Sequence, residues 1–155
     1  SGDRPAVPGR PTVSISPANV IRMHDYERSK KTLPLRMFRR IFGGLRVFDY
    51  AKASKHFIGE EEKALNCIPT VIPNWDHSPR SGKRAFILNK ATPELFKEHL
   101  EAAVDKIKHK PPQHRIAFVK SWNEWAEGNY LEPDLVYGKR FLDAIRAVVG
   151  NKKDA

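Results

Sequence analysis

Apolar positions along this chain fall into three patterns, each pointing to a different kind of element. Between Thr92 and Lys110, the residues Phe96, Leu100, Ala103, Val104 and Ile107 recur at helical spacing and make one apolar stripe. Thr92 can cap free N–H groups there, and Pro93 suits the first helical position because its missing N–H is not needed. Lys106, Lys108 and Lys110 crowd the far end, where the helix dipole favours cations, and Pro111-Pro112 stops the run. A second helix is predicted over about Gly138 to Val149, with Phe141, Leu142, Ile145, Val148 and Val149 on one side and Gly150 ending it. Glu60 to Leu65 suits a short helix.

The other two patterns read as strands. Leu45 to Tyr50 alternates apolar and polar residues after the break at Gly43-Gly44. Cys67 to Pro73 is a β-branched run, although Pro69 removes a ladder donor and argues against the middle of a flat sheet. Arg115 to Ser121 is mainly apolar and of strand length, as expected of a strand buried on both faces of a parallel sheet. Asn74 to Lys83, with Pro79 and Gly82, reads as a loop. The order of strand, loop and helix, repeated, argues for βα units in an α/β fold. Residues 1–20, with four prolines, read as an irregular segment, 21–44 as a basic segment of short helix or loop, 45–150 as the folded unit, and 151–155 as a tail.

Composition bounds the class. Of 155 residues, 40% are hydrophobic and 30% charged, which is globular rather than disordered. No apolar run approaches the roughly 18 residues of a membrane span. No apolar h-region follows Ser1, so no secretory signal is visible, although a trimmed start would look the same. A single cysteine, Cys67, excludes an internal disulfide framework and any multi-cysteine zinc site, and reads as a buried strand thiol. The expectation is a cytoplasmic protein.

The net charge is +10, and it is unevenly placed. Residues 1–56 hold 12 Lys/Arg against 4 Asp/Glu, whereas residues 57–155 hold 16 against 14. A basic first third could contact an anionic membrane surface peripherally, at the inner membrane, or attract phosphorylated substrates, and it equally fits a solvated surface without a ligand. No nucleic-acid motif accompanies the charge, so a nucleic-acid partner is not expected. Scattered histidines give no metal spacing, and no glycine-rich phosphate loop occurs, so neither a metal nor another cofactor is predicted.

Function in βα architectures gathers in loops that follow strands. Two stand out: Asn74 to Arg80, and Trp122 to Asp134 with Glu124, Glu127, Glu132 and Asp134. In a turn, Glu124 and Glu127 would bring their Cβ atoms within roughly 5–6 Å, a range suited to acid/base work on a glycosidic bond. Trp75, Trp122, Trp125 and Tyr130 could serve as platforms for the apolar faces of sugar rings. Spacing alone fits equally well a pair of solvated glutamates beside core tryptophans. His77 is the one histidine inside such a loop, either as a site residue or as a loop hydrogen-bonding group.

The run Ser121-Trp122-Asn123-Glu124-Trp125-Ala126-Glu127-Gly128-Asn129-Tyr130-Leu131-Glu132-Pro133-Asp134, with Tyr137-Gly138 after it, closely resembles the signature of glycoside hydrolase family 99-like proteins. More narrowly it resembles their WbsX-like branch, associated with lipopolysaccharide and O-antigen biosynthesis and often called glycosyltransferases. Ile72 to Gly82 resembles that branch's second signature loop, and Thr92 to Phe96 its following helix. The resemblance covers about residues 45–148. It implies a (β/α)8 barrel of the TIM type, of which this chain would supply the C-terminal portion, about three βα units. It also implies that Glu124 is a base assisting the substrate's own 2-hydroxyl, and that Glu127 protonates the leaving oxygen and then activates water or an acceptor hydroxyl. Trp75, Asp76, His77, Arg80, Trp122, Asn123, Trp125 and Tyr130 would line the sugar or sugar-nucleotide site. Where the hydrolases usually carry His between Trp and the second Glu, this chain has Ala126, so their endo-mannosidase specificity does not transfer. The competing expectation is a non-catalytic glycan-binding or truncated, vestigial module.

Overall fold

A computed structural model describes residues 44–150; the segment 1–20, residues 21–43 and the tail 151–155 lie outside the described residues, and so do the expectations made for them. In chain order the strands are β1 (Arg46–Asp49), β2 (Thr70–Val71), β3 (Trp75–Asp76), β4 (Phe86–Asn89), β5 (Phe118–Val119), β6 (Asn123–Glu124) and β7 (Asn129–Tyr130). The helices are α1 (Tyr50–Ala53), α2 (Ser78–Ser81), α3 (Pro93–Ile107) and α4 (Arg140–Val149). Short 3-10 turns join them, including Glu60–Lys63 and Trp125–Glu127.

The longest element forms for the reasons its sequence declares. Thr92 sits in extended backbone and its Oγ1 accepts a hydrogen bond from the Leu95 N–H at 3.3 Å, with Pro93 opening the helix behind it. Phe96, Leu100, Ala103 and Ile107 are buried on one face of α3. Helix α4 lies against that face, and Phe96 and Phe141 meet with ring centroids 5.7 Å apart. Val71, Leu131 and Ala144 complete this core. A second cluster, Phe48, Tyr50, Ala53, Phe57 and Leu88, packs Trp75 and Ile72 along its border and so reaches the candidate site.

Three small sheets carry these layers. In the first, β1 and β4 are parallel, with Phe48 opposite Leu88, and β3 adds to the other edge of β4 in the antiparallel sense, with Trp75 opposite Leu88. In the second, β2 and β5 are parallel. The third is the antiparallel pair β6 and β7, with Glu124 opposite Asn129. The fold is mixed α/β, and the described residues close no barrel. No helix among them is long and apolar enough to cross a membrane.

Several expectations need correction. The segment 115–121 is not a strand buried on both faces: only Phe118–Val119 pairs, with β2 alone, and Phe118 is 44% exposed. The stretch 74–83 is not plain loop, since β3 and α2 lie within it. Phe86–Asn89 is an additional strand that the pattern did not announce. Cys67 is a half-buried residue ahead of β2 rather than a buried strand thiol. The charge pattern at the end of α3 is also richer than a dipole effect. Lys110 is buried and its Nζ donates to the Cys67 carbonyl at 2.6 Å, so it ties the helix end to the approach of β2.

Candidate functional site

The site is built on the two loops singled out by sequence, and a few backbone contacts hold them together. Asn129, fully buried, is the fastener. Its Nδ2 donates to the Asn74 carbonyl at 2.6 Å and to the Lys120 carbonyl at 2.9 Å, and its Oδ1 accepts from Ser121 Oγ at 2.8 Å. Asn74 answers with its own side chain, accepting from the Tyr130 N–H at 2.9 Å. A buried amide cannot be left unpaired without cost, so these partners fix the register between the loops.

Gly128 brings the loops closer still. It has φ +49°, a left-handed conformation that side chains rarely adopt, and it follows the 3-10 turn Trp125–Glu127. A Cβ built at this position would lie 2.8 Å from Asp76 Cβ and 2.9 Å from the Asp76 nitrogen. Only the missing side chain lets the turn bearing Glu127 settle onto β3. Asp76 in turn accepts from the Ser78 N–H at 2.9 Å and so starts the short helix that presents Arg80.

Glu127 therefore faces the basic groups of the neighbouring loop. Arg80 Nη1 donates to Glu127 Oε1 at 2.7 Å, His77 Nε2 stands 3.8 Å from the same oxygen, and Lys120 Nζ stands 3.8 Å from Oε2. His77 is itself held by Ser81, whose Oγ lies 2.9 Å from Nδ1. Lys120 Nζ also rests 4.3 Å from the centre of the Trp75 ring, a cation–π contact. Lys120 is the participant that sequence reading missed; a lone cation at the end of the apolar run Ile116 to Val119 was its only signal.

The aromatic residues divide into two groups. Trp125 and Tyr130 stack with ring centroids 3.9 Å apart and planes 12° from parallel, and Trp125 Nε1 donates to Glu132 Oε2 at 2.7 Å. Burial, and then the charge of Asp134, raises the Tyr130 phenol above its ordinary value. Trp125 keeps an exposed face, and Trp122 is exposed as well. Trp75 instead joins the second core cluster, with Lys120 over its ring. Asn123 and Glu124 are exposed on β6. The structure thus gathers His77, Arg80 and Lys120 around the Glu127 carboxylate, with Trp75 and Asp76 on the adjoining strand β3, while among the described residues the ion pairs at this site end on Glu127 and none on Glu124.

The chain matches the model of the family described as Glycosyltransferase WbsX over residues 6–145. It is also similar to the uncharacterised WxcX proteins of two strains of Xanthomonas campestris pv. campestris, with 33% and 32% identity over 109 residues. That stretch covers 70% of this chain and 16% of each relative, so the chain spans a small part of the curated relatives it matches. No solved structure matches it.

Proposed function

Because this chain belongs to the WbsX glycosyltransferase family, we propose that its described loops form the catalytic edge of a carbohydrate-active enzyme that transfers glycosyl groups in surface-polysaccharide biosynthesis. Glu124 and Glu127 form the acid/base pair in this reading. The observation that carries it is the placement of Glu127: a largely covered carboxylate, fixed by Arg80, beside an exposed Trp125–Tyr130 stack on the same hairpin.

A group that handles a proton must be positioned before its acidity matters. Arg80 and the Gly128–Asp76 contact set where Glu127 stands. Glu124, exposed on β6, approaches a sugar from the solvent side and takes a proton from a hydroxyl. Glu127 serves the oxygen on which the glycosidic bond breaks or forms. The exposed face of Trp125 carries the apolar face of the ring. The same reading takes the parallel pairs β1–β4 and β2–β5 as an arc of a (β/α)8 barrel. It leaves peripheral membrane contact to the basic segment before residue 44.

The test is turnover of a panel of nucleotide-sugars and α-linked oligosaccharides by the wild type, Glu124→Gln and Glu127→Gln, in this chain and in a full-length relative. Loss of at least about a hundredfold in the glutamine variants, with folding intact, is expected for an acid/base group. Full activity in both variants would remove the catalytic assignment. Sugar binding without turnover in any protein would mean a glycan-binding module instead.

A further inference from the structure

The basic groups around Glu127 are more numerous and more exposed than one largely covered carboxylate requires. The Glu127 side chain is 14% exposed, whereas His77 is 30%, Lys120 40% and Arg80 56% exposed. The carboxylate is the floor of the cluster, and the basic groups form its solvent side. Arg80 commits one N–H to Glu127, and a guanidinium has five. Lys120 Nζ, at 3.8 Å, is beyond hydrogen-bond reach of Glu127 and lies over the Trp75 ring. His77 uses Nδ1 on Ser81, which leaves Nε2 on the Glu127 side. Trp75 Nε1 is buried, and the described residues offer it no hydrogen-bond partner. Asp76, the other carboxylate here, accepts from Ser78.

We propose that Arg80, Lys120 and His77 form the seat for an oxyanion carried by the glycosyl substrate, an inference that rests on the sugar-handling reading of these loops. A tetrahedral or planar oxyanion entering from solvent meets the spare N–H groups of Arg80 and the Lys120 ammonium before it meets Glu127. Such charge-assisted hydrogen bonds are the strong ones, and the fork of Arg80 suits two oxygens of one group. The phosphate of an activated sugar donor and the carboxylate of an acidic sugar present the same chemistry to this seat. Anion recognition is thereby placed within the described fold, on the loop pair itself, rather than in the basic segment that precedes it.

The experiment titrates the intact chain with inorganic pyrophosphate, D-glucuronate and neutral glucose, following the indole N–H resonances of Trp75, Trp122 and Trp125. Pyrophosphate or glucuronate is expected to shift the Trp75 resonance saturably, while glucose at equal concentration leaves it in place. Lys120→Met should weaken that binding about tenfold, the scale of one charge-assisted contact, and raising salt should weaken it further. Pyrophosphate binding alone assigns the seat to a phosphorylated donor, and glucuronate binding alone assigns it to an acidic sugar; either supports the proposal. Absence of saturable binding by both anions overturns it, and so does binding that Lys120→Met leaves unchanged in a protein whose other resonances show it folded. The two readings fail separately. Neutral oligosaccharide turnover that depends on Glu127, without anion binding, ends the oxyanion seat and leaves the enzyme; loss of Glu127 dependence ends the enzyme, whatever the anions do.

Discussion

Asn129 donates a 2.6 Å hydrogen bond to the main-chain carbonyl of Asn74, a residue 55 positions earlier in the chain. This contact joins the two loops that carry the carboxylate site, and because the Asn74 side chain accepts in turn from the Tyr130 N–H, neither asparagine can shift alone.

Replacing Asn129 with alanine would strip the Asn74 and Lys120 carbonyls of their shared donor in a buried setting, while the Ser121 hydroxyl would keep only its bond to the residue 129 carbonyl, 3.0 Å away. A loss of about 2–4 kcal/mol is expected, against about 1 kcal/mol for Ser121→Ala. Urea unfolding of both variants measures this. Equal, small losses would mean that solvent already reaches these groups.

Two glycines with nearly the same positive φ allow a cleaner comparison. Gly128 (φ +49°) presses on Asp76, whereas Gly138 (φ +53°) has nothing within 4 Å of an added Cβ. Gly138→Ala should cost about 1–2 kcal/mol, the left-handed penalty alone. Gly128→Ala adds an overpacking cost of about 1–3 kcal/mol and should move Arg80 away from Glu127. Thermal or urea denaturation of the pair reads the difference, and identical stabilities would contradict the close approach.

How much of this could be read along the chain depends on the range of the forces involved. The helix at 93–107 was legible because Thr92, Pro93 and the Phe96–Leu100–Ala103 stripe all act within a few residues of one another. Strand β4 was not, since Phe86-Ile87-Leu88-Asn89 has neither alternation nor turn markers and exists because β1, forty residues earlier, offers a free edge. The run 115–121 misled for the opposite reason. Its residues are apolar enough for a central strand, but only β2 pairs with it, so Ile116 and Phe118 stay exposed. At the site, Glu127, His77 and Arg80 stood in recognisable motifs. Lys120 did not, because its role comes from Trp75, which only the folded chain brings beneath it.

Burial of His99 makes stability depend on pH. Desolvation pushes its imidazole down from 6.5 to about 4, since its ring sits between Tyr50 and Phe57. The unfolded chain therefore binds a proton that the folded chain refuses. This contribution is fully present above pH 6.5 and is lost as pH falls toward 4, by an amount of about 3 kcal/mol. His99→Phe, which keeps a ring in the slot, should flatten the fall in urea midpoint between pH 6.5 and 4. An unchanged slope would place the titration elsewhere.

Trp125 is expected to act through sugar affinity rather than through chemistry. Its ring stacks on Tyr130 and is braced by Glu132, so Trp125→Ala removes a preformed platform. Oligosaccharide binding should weaken by about three- to tenfold, matching the 0.5–1.5 kcal/mol typical of aromatic stacking. The rate at saturating sugar should hold. A fall in kcat with KM unchanged would move Trp125 from the platform to the reacting centre.

Tolerance to mutation along the motif from Trp122 to Tyr130 is set unevenly by the seam between Gly128 and Asp76. Position 128 admits no side chain and position 129 is filled by a fully bonded amide, yet Ala126, between Glu124 and Glu127 in the 3-10 turn, is exposed. On the proposed sugar-handling reading, variation that retunes which sugar is accepted is expected at the exposed Ala126 and Trp122 rather than at the joint that aligns Glu127. The geometry thus separates a hinge-free frame, closed to drift, from a rim on which new specificities can be tried.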